Sequence, residues 1–200
     1  MKQKLVTDST PSKKPFVCPW WFCFTFDNIL RKLFHNPESL LASYITRGAT
    51  VMDIGAGMGY FSIPLARMVG AAGKVIAVDL QQEMLTAIYK RARKARLAER
   101  IIFHQCTAEK IGVIEPIDFC QADFCLAFWM LHEVPDQHSF LGEISAILKS
   151  NGFLLLVEPR LHVTRENFMI SVDAARAAGL SVIDWPAARF SHSVLLQKVV

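Results

Sequence analysis

The chain has 200 residues, of which 52% are apolar and 20% are charged, and its formal net charge is +4. This length suits one compact domain, and the apolar content is too high for a disordered protein. The mild positive charge does not by itself predict a nucleic-acid or membrane partner.

The N-terminal part of the chain differs in composition from the rest. Residues 1 to about 15 are rich in Lys, Ser, Thr and Pro without periodicity, which is typical of a loose tail. A dense aromatic run follows at Phe16, Trp20, Trp21, Phe22, Phe24 and Phe26. These rings could cover outer helices, form a dimer contact, or close over a bound molecule. We therefore divide the chain into a tail and aromatic cover, residues 1–36, and a single domain, residues 37–200.

Two short helices are predicted before the first strand, from Asp27 to Phe34 and from Pro37 to Ile45. Asp27 and Asn36 are placed to cap them. Continuous apolar runs then predict buried parallel strands at Thr50 to Ile54, Lys74 to Val78, Ile101 to Gln105, Phe124 to Phe128 and Phe153 to Val157. Amphipathic patterns between the strands predict helices at Tyr60 to Val69, Gln81 to Leu97 and Asp136 to Leu148, the last closed by Asn151-Gly152.

The C-terminal part predicts a helix from Arg165 to Ala178, ended by Gly179, and then two strands paired like a hairpin. These strands run from Leu180 to Trp185 and from Ser193 to Lys198. Strands that alternate with helices favour right-handed crossovers, which place helices on both faces of the sheet. The predicted fold class is therefore α/β, a doubly wound Rossmann-like sheet that is mostly parallel.

The most informative segment is Asp53-Ile54-Gly55-Ala56-Gly57-Met58-Gly59, which follows the first predicted strand. Glycines at alternate positions permit left-handed backbone and let a ligand approach the main chain closely. A dinucleotide site would need Gly-x-Gly-x-x-Gly, but Tyr60 stands at the third glycine position, so NAD is disfavoured. The alternative without a ligand is a tight strand-to-helix turn. The Asp-x-Gly-x-Gly-x-Gly pattern resembles the motif of class I S-adenosylmethionine-dependent methyltransferases.

Two further motifs strengthen this resemblance. Residues 131–136, Leu-His-Glu-Val-Pro-Asp, are similar to the Leu-His-x-Val-x-Asp segment of small-molecule methyltransferases. Residues 148–154, Leu-Lys-Ser-Asn-Gly-Phe-Leu, are similar to the family's Leu-Lys-Pro-Gly-Gly-x-Leu pattern. The resemblance extends from about residue 37 to the C-terminus, and the chain is similar to the broad group that contains quinone-biosynthetic methyltransferases. It implies seven strands with the last antiparallel, and S-adenosylmethionine as cofactor.

Ligands of open α/β sheets bind beyond the carboxyl ends of the strands, which places the candidate site residues there. The resemblance implies that Asp53 and the loop residues Gly55, Ala56, Gly57 and Gly59 surround the methionine part of the cofactor. It further implies that Asp79 binds both ribose hydroxyls and that Leu80 packs on the adenine, with Ala127 also at the cofactor. Capping of the following turn or helix is the structural alternative for Asp53 and Asp79.

The adenine end departs from the family pattern. The family usually has Gly-Asp-Ala after the third strand, whereas this chain has Cys106-Thr107-Ala108. Thr107 is shorter and neutral, so the contact with the adenine amino group is expected from Thr107, from Glu109 or from the backbone. Thr107 and Ala108 remain predicted cofactor residues.

The predicted chemistry is methyl transfer from S-adenosylmethionine to a small acceptor that is apolar or aromatic, with Phe128, Trp129 and Met130 at the acceptor. His132 is the candidate catalytic base for an acceptor hydroxyl, because imidazole titrates near neutral pH. A histidine that only fixes the loop is the alternative. The alternative function is a non-catalytic S-adenosylmethionine-binding module, motivated by Thr107 and by the lack of an unmistakable catalytic group.

Other features predict little beyond this. Cys18, Cys23, Cys106, Cys120 and Cys125 lack metal-ligand spacing, so no metal site is predicted and reduced thiols are favoured. A basic segment, Lys90, Arg91, Arg93, Lys94, Arg96 and Arg100, is interpreted as a solvated helix face, so a nucleic-acid partner is disfavoured. No apolar run is long enough to span a bilayer, the expected location is cytoplasmic, and a homodimer is left open.

Overall fold

The computed structural model describes residues 35–112 and 121–199. The predicted helix from Asp27 to Phe34 and the aromatic run from Phe16 to Phe26 lie outside these residues. The strands are β1 (Thr50–Ile54), β2 (Lys74–Asp79), β3 (Ile101–Gln105), β4 (Ala122–Phe128), β5 (Leu148–Pro159), β6 (Leu180–Asp184) and β7 (Ser191–Lys198). Every strand predicted from the apolar runs is present, with ends that differ by a few residues.

The strands form one seven-stranded sheet in the order β3-β2-β1-β4-β5-β7-β6. Strands β1 to β5 pair in parallel, whereas β7 lies antiparallel between β5 and β6. The prediction of a mostly parallel sheet with an antiparallel last strand is confirmed. The strand order reverses between β1 and its two neighbours, β2 and β4, and open sheets bind their ligands at such a switch point.

The helices are α1 (Pro37–Leu41), α2 (Ser62–Met68), α3 (Gln82–Ala95), α4 (Gln137–Ile147) and α5 (Arg165–Ala177). Two short 3₁₀ helices lie at Ala98–Arg100 and Leu131–Glu133. Asn36 caps α1, because its side-chain oxygen accepts a hydrogen bond from the Glu38 amide at 2.9 Å. Gly179 follows α5 with a φ of +86°, the left-handed conformation that ends many helices.

The prediction that Asn151-Gly152 closes α4 is wrong. Helix α4 ends at Ile147, and β5 begins at the next residue, Leu148, which pairs with Ala122. The next pair is Phe153 with Phe124, so residues 149–152 form a bulge opposite a single residue of β4. Asn151 has a φ of 65°, and a Cβ on Gly152 would lie 3.0 Å from the Ala122 carbonyl oxygen. The Asn-Gly pair therefore shapes a bulge in the strand.

Helix α1 is also shorter than predicted. It ends at Leu41, whereas the pattern predicts a helix that continues to Ile45. A turn follows, in which the Tyr44 amide donates to the Leu41 carbonyl oxygen at 2.9 Å. A propensity pattern does not show where a short helix stops in the absence of a strong stop signal.

The sheet has a hydrophobic core on each face. One core joins strand residues with α4 and α5 and includes Met52, Ile54, Ile76, Val78, Phe140, Ile144, Phe168 and Val172. The other joins the sheet with α1, α2 and α3 and includes Leu41, Val51, Leu65, Val75, Ala77, Ile88 and Leu155. Both faces of the parallel strands are covered, which explains their continuous apolar sequences. Within residues 35–112 and 121–199, no helix has the length and apolarity needed to cross a membrane.

Candidate functional site

A cavity opens at the carboxyl ends of β1 to β4, where the strand order reverses. It encloses about 770 Å³, part of which is open to solvent. Its walls are formed by Ile54, Gly55, Gly57, Asp79, Leu80, Gln81, Met84, Cys106, Thr107, Ala108, Trp129, Met130, Glu133, Val134 and Phe140. Six predicted cofactor residues therefore share one cavity: Gly55, Gly57, Asp79, Leu80, Thr107 and Ala108.

The glycine loop is tied to the end of β2. The amides of Gly55 and Ala56 both donate to the Val78 carbonyl oxygen, at 2.9 and 3.0 Å. The Gly57 amide donates to the Asp79 side chain at 2.8 Å. Gly55 and Gly57 have φ angles of 70° and 54°, which a residue with a side chain rarely adopts. The sequence of small residues thus lets the main chain turn sharply at the cavity wall.

Asp79 is the buried acid of the cavity, with only 7% of its surface exposed. One carboxylate oxygen accepts from the Gly57 amide and the other accepts from the Gln81 amide at 2.9 Å. Burial raises the pKa of Asp79 to about 6, although these backbone hydrogen bonds favour the ionised form. Each carboxylate oxygen can accept a further hydrogen bond, so both remain able to bind one hydroxyl of a diol. Asp79 can therefore cap the following helix and still bind a ribose as predicted.

The space beside the loop fits a nucleoside cofactor. A Cβ added to Gly57 would meet no atom within 4 Å, so the main chain there borders open space. A Cβ on Gly55 would lie 2.6 Å from Cβ of Met130, whose side chain packs directly on the loop. The cavity thus offers bare main chain, a buried acid for a diol, and apolar walls. These are the features that S-adenosylmethionine needs for its adenosine and its thioether chain.

Four other predicted cofactor residues lie outside the cavity wall. Asp53 is 2% exposed, and its carboxylate accepts a hydrogen bond from the hydroxyl of Ser62 at the start of α2. Ala56 is buried, and Gly59 lies against Ile88 of α3, since a Cβ on this glycine would come within 3.2 Å of that side chain. Ala127 is fully buried between β1 and β5, opposite Ile54 and Leu156. Their residue types serve to close the loop and to pack the sheet.

Thr107 and Ala108, which are predicted to border the adenine, line the same cavity as Leu80. The hydroxyl oxygen of Thr107, however, accepts from the Lys110 amide at 3.0 Å, and the Thr107 amide donates to the Lys110 carbonyl oxygen at 3.0 Å. The side chain therefore closes a local turn. Cys106 precedes it, and burial raises the pKa of its thiol to about 11, with further contributions from Asp79 and Glu143.

Trp129, directly after β4, also lines the cavity. Trp129 has a φ of 60°, an unusual value for a bulky residue, and such strain is concentrated at functional sites. Its amide donates to the Val157 carbonyl oxygen at 2.8 Å, and its indole N–H donates to the Ser191 hydroxyl at 2.9 Å. His35 packs edge-on against the indole at 5.0 Å between ring centroids. Contacts from three parts of the chain thus fix this ring.

His132 lies in the 3₁₀ helix Leu131–Glu133, between Met130 and Glu133 of the cavity wall, and is not itself part of that wall. Its Nδ1 is hydrogen-bonded to Oε2 of Glu158, whose Oε1 accepts from the Leu131 amide at 2.9 Å. Glu158 is 1% exposed, and the His132 side chain is 22% exposed. Burial lowers the pKa of His132, but the hydrogen bond and charge of Glu158, with the charge of Glu133, outweigh it and raise the pKa above its usual value.

Several residues of this site were missed by the sequence analysis. Glu158 is the clearest, because it lies near the carboxyl end of the apolar strand β5, as Asp79 lies at the end of β2, and the same rule could have identified it. Met84 and Phe140 enter the cavity from the first turns of α3 and α4. Their apolar periodicity gave no sign that they face a cavity instead of the core.

No three His, Cys, Asp or Glu side chains come together as a metal site in the part of the chain that the structure describes. The basic side chains of α3 lie on its exposed face, while Met84, Leu85, Ile88 and Ala92 form its buried face. Arg91 donates to the Met58 carbonyl oxygen at 2.9 Å, which joins this helix to the glycine loop.

Comparison with known families supports this interpretation of the cavity. A family model described as a methyltransferase domain matches residues 45–186, which include the glycine loop, Asp79 and the His132 segment. The chain belongs to this methyltransferase family. S-adenosylmethionine is the cofactor of the family, in agreement with the resemblance found in the sequence.

Among the similar curated proteins is a ubiquinone/menaquinone biosynthesis C-methyltransferase UbiE of Cellvibrio japonicus. It is 33% identical over 117 residues, which are 58% of this methyltransferase chain and 45% of the relative. A ubiquinone biosynthesis O-methyltransferase of Rhodopseudomonas palustris is 29% identical over 157 residues, 78% of this chain and 56% of the relative. The chain thus spans about half the length of these curated relatives.

A solved structure shares the fold over nearly the whole chain. It is a SAM-dependent methyltransferase from Aquifex aeolicus, with a TM-score of 0.80 and 23% sequence identity, and the match covers 92% of this methyltransferase chain and 100% of that chain. The similarity confirms the Rossmann-like fold of the methyltransferase.

Proposed function

We propose that this chain transfers the methyl group of S-adenosylmethionine to a small acceptor that is apolar or aromatic. The observation that carries the proposal is the cavity, in which Asp79 and bare glycine backbone face one end and Trp129, Val134 and Phe140 supply apolar walls. The names of two relatives, which refer to quinone biosynthesis, support an aromatic acceptor. We further propose that residues 37–200 form the methyltransferase domain and residues 1–36 a separate cover segment.

Each part of the cavity has a role in this proposal. Asp79 binds the ribose hydroxyls, and Gly57 lets the cofactor lie against the main chain. Leu80, Thr107 and Ala108 border the adenine. S-adenosylmethionine supplies a methyl group activated on a sulfonium sulfur, so the protein chiefly aligns the acceptor and excludes water.

We assign proton removal from the acceptor to His132. Its Nδ1 is held by Glu158, so Nε2 is the nitrogen that takes the proton of an acceptor hydroxyl. Bound S-adenosylmethionine would supply the methyl group to the acceptor oxygen and would be left as S-adenosylhomocysteine, while the imidazole of His132 holds the proton released by the acceptor. Glu158 fixes the ring and stabilises the resulting imidazolium, as the carboxylate does in other histidine–carboxylate pairs.

Turnover with methyl-labelled S-adenosylmethionine tests the proposal. Phenols, hydroquinones and naphthohydroquinones would be compared with aliphatic amino acids and with RNA as acceptors. We expect label in the apolar aromatic compounds, and we expect His132→Ala to lower the rate by about 10²-fold. His138→Ala is the matched control, because this exposed histidine lies on α4.

Two results would contradict the proposal. Label that enters RNA or aliphatic acceptors instead of aromatic compounds would show that the acceptor class is wrong. Binding of the cofactor with no methyl transfer to any acceptor would favour a non-catalytic binding module. That second function has one observation in its favour, since the Thr107 hydroxyl is engaged in a turn.

A further inference from the structure

Segment 106–112 joins the adenine end of the cavity to the rest of the fold. It leaves β3 at Cys106, whose amide donates to the Asp79 carbonyl oxygen at 3.1 Å. Cys106, Thr107 and Ala108 line the cavity. The Thr107 hydroxyl already accepts from the Lys110 amide, so recognition of an adenine by Thr107 or by the main chain depends on where the segment is held.

A carboxylate on α4 binds the far end of the segment, at Ile111 and Gly112. Oε2 of Glu143, on α4, accepts from the Ile111 amide at 2.8 Å and from the Gly112 amide at 3.2 Å. The ring of His104 donates to the Ile111 carbonyl oxygen at 2.7 Å. Ile111 itself is 1% exposed and packs in the core beside α4. Hydrogen bonds to an ionised acceptor are about twice as strong as neutral ones.

Glu143 is also close to the cavity wall in other ways. Phe140 lies one helical turn before Glu143 on α4 and forms part of the wall. The charge of Glu143 helps to raise the pKa of the Cys106 thiol, which lies in the same wall. Helix α4 thus carries both a wall residue and the anchor of the segment that faces the adenine.

We propose that Glu143 is a positioning residue for adenine recognition, which acts through the main chain of segment 106–112 without touching the cofactor. The proposal rests on the proposed function, because it requires the nucleoside to lie against Thr107 and Ala108. It supplies an explanation for the missing acidic residue at position 107. The resemblance implies an acidic side chain for this contact, and in this chain the position of segment 106–112 takes over that role.

Calorimetric titration with S-adenosylhomocysteine and with S-inosylhomocysteine tests the proposal, because the two ligands differ only in the base. Loss of the two hydrogen bonds from the Ile111 and Gly112 amides in Glu143→Ala should weaken S-adenosylhomocysteine binding by about tenfold. Glu143→Gln keeps an acceptor oxygen without the charge and should have a smaller effect. In both variants the ratio of the dissociation constant of S-inosylhomocysteine to that of S-adenosylhomocysteine should fall. A general loss of stability would not change this ratio.

Asp173→Ala is the control, because this exposed acid on α5 pairs only with Arg176 among the described ion pairs. It should bind both ligands as the wild type does. Glu143 variants that retain the full preference for adenine would overturn the proposal, and Glu143→Gln decides the matter if Glu143→Ala fails to fold. If the wild type binds neither ligand, the proposed function fails together with this inference, whereas normal binding by the variants overturns the inference alone.

Discussion

The contact with Glu158 gives the candidate base, His132, a specific chemical environment. A buried glutamate that accepts both a backbone hydrogen bond and a ring hydrogen bond fixes the imidazole and keeps the glutamate satisfied. A histidine that served only to fix the loop would also use such a partner. The pH dependence of the reaction separates the two roles, since only a base that takes the acceptor proton controls the rate through its own titration.

We expect kcat/KM to rise with pH through an apparent pKa above the usual histidine value of about 6.5, because His132 must be neutral to accept a proton. Glu158→Gln removes the negative charge that stabilises the imidazolium, so the rising limb should move to lower pH. Glu166→Gln is the control, because Glu166 is an exposed acid near a different histidine, His192. A limb that stays in place in Glu158→Gln, or that persists in His132→Ala, would contradict the assignment.

Residue identities alone predicted part of this site. Asp79, Leu80 and the loop glycines follow strand ends directly, so the rule for open sheets located them. Glu143 could not be found in this way, because its partners, Ile111 and Gly112, are 32 and 31 residues away in sequence. A sequence pattern does not show which polar position of a helix contacts a loop that is distant in sequence. For Asp53 the sequence did not show the hydrogen bond from the Ser62 hydroxyl, and its role at the cofactor stays a prediction.

At the level of elements, the order of strands and helices was predictable because buried parallel strands have continuous apolar sequences. The strand ends were less predictable, as the bulge at Asn151 and the early start of β5 show. Pairing with β4 overrides the helix-stop signal of Asn-Gly there. Among these elements, the glycine loop after β1 has the conformation that matters most, because it determines how far β1 and α3 each lie from the cavity.

Two glycine substitutions should separate backbone strain from steric blockage of the cavity wall. Gly48 and Gly55 have φ angles of 86° and 70°, so alanine is strained at both, at a cost of about 1–2 kcal/mol. A Cβ on Gly48 meets nothing within 4 Å, whereas a Cβ on Gly55 lies 2.6 Å from Met130. Gly55→Ala should therefore weaken S-adenosylhomocysteine binding in calorimetry and lower Tm more than Gly48→Ala. If the two variants weaken binding equally, the contact between residue 55 and Met130 does not determine the shape of the cavity wall.

At the level of the whole molecule, the sheet topology explains why the functional groups meet. The strand order reverses at β1, so the loops after β1, β2 and β4 diverge and leave a crevice between them. Gly55, Asp79 and Trp129 come from those three loops and line the same cavity. The antiparallel β7 lies on the other side of β5, where Ser191 supports the indole of Trp129. The fold therefore brings the proposed cofactor residues together and places the indole of Trp129 in the same cavity.

Calorimetric titration of the purified chain with S-adenosylhomocysteine tests the central claim most directly. We expect one binding site with a Kd at or below tens of micromolar, roughly −6 to −7 kcal/mol. Asp79→Ala should weaken binding by about tenfold or more, because the ribose loses its buried acceptor. Absence of binding by the wild type, or unchanged affinity in Asp79→Ala, would contradict the assignment of this cavity to the cofactor.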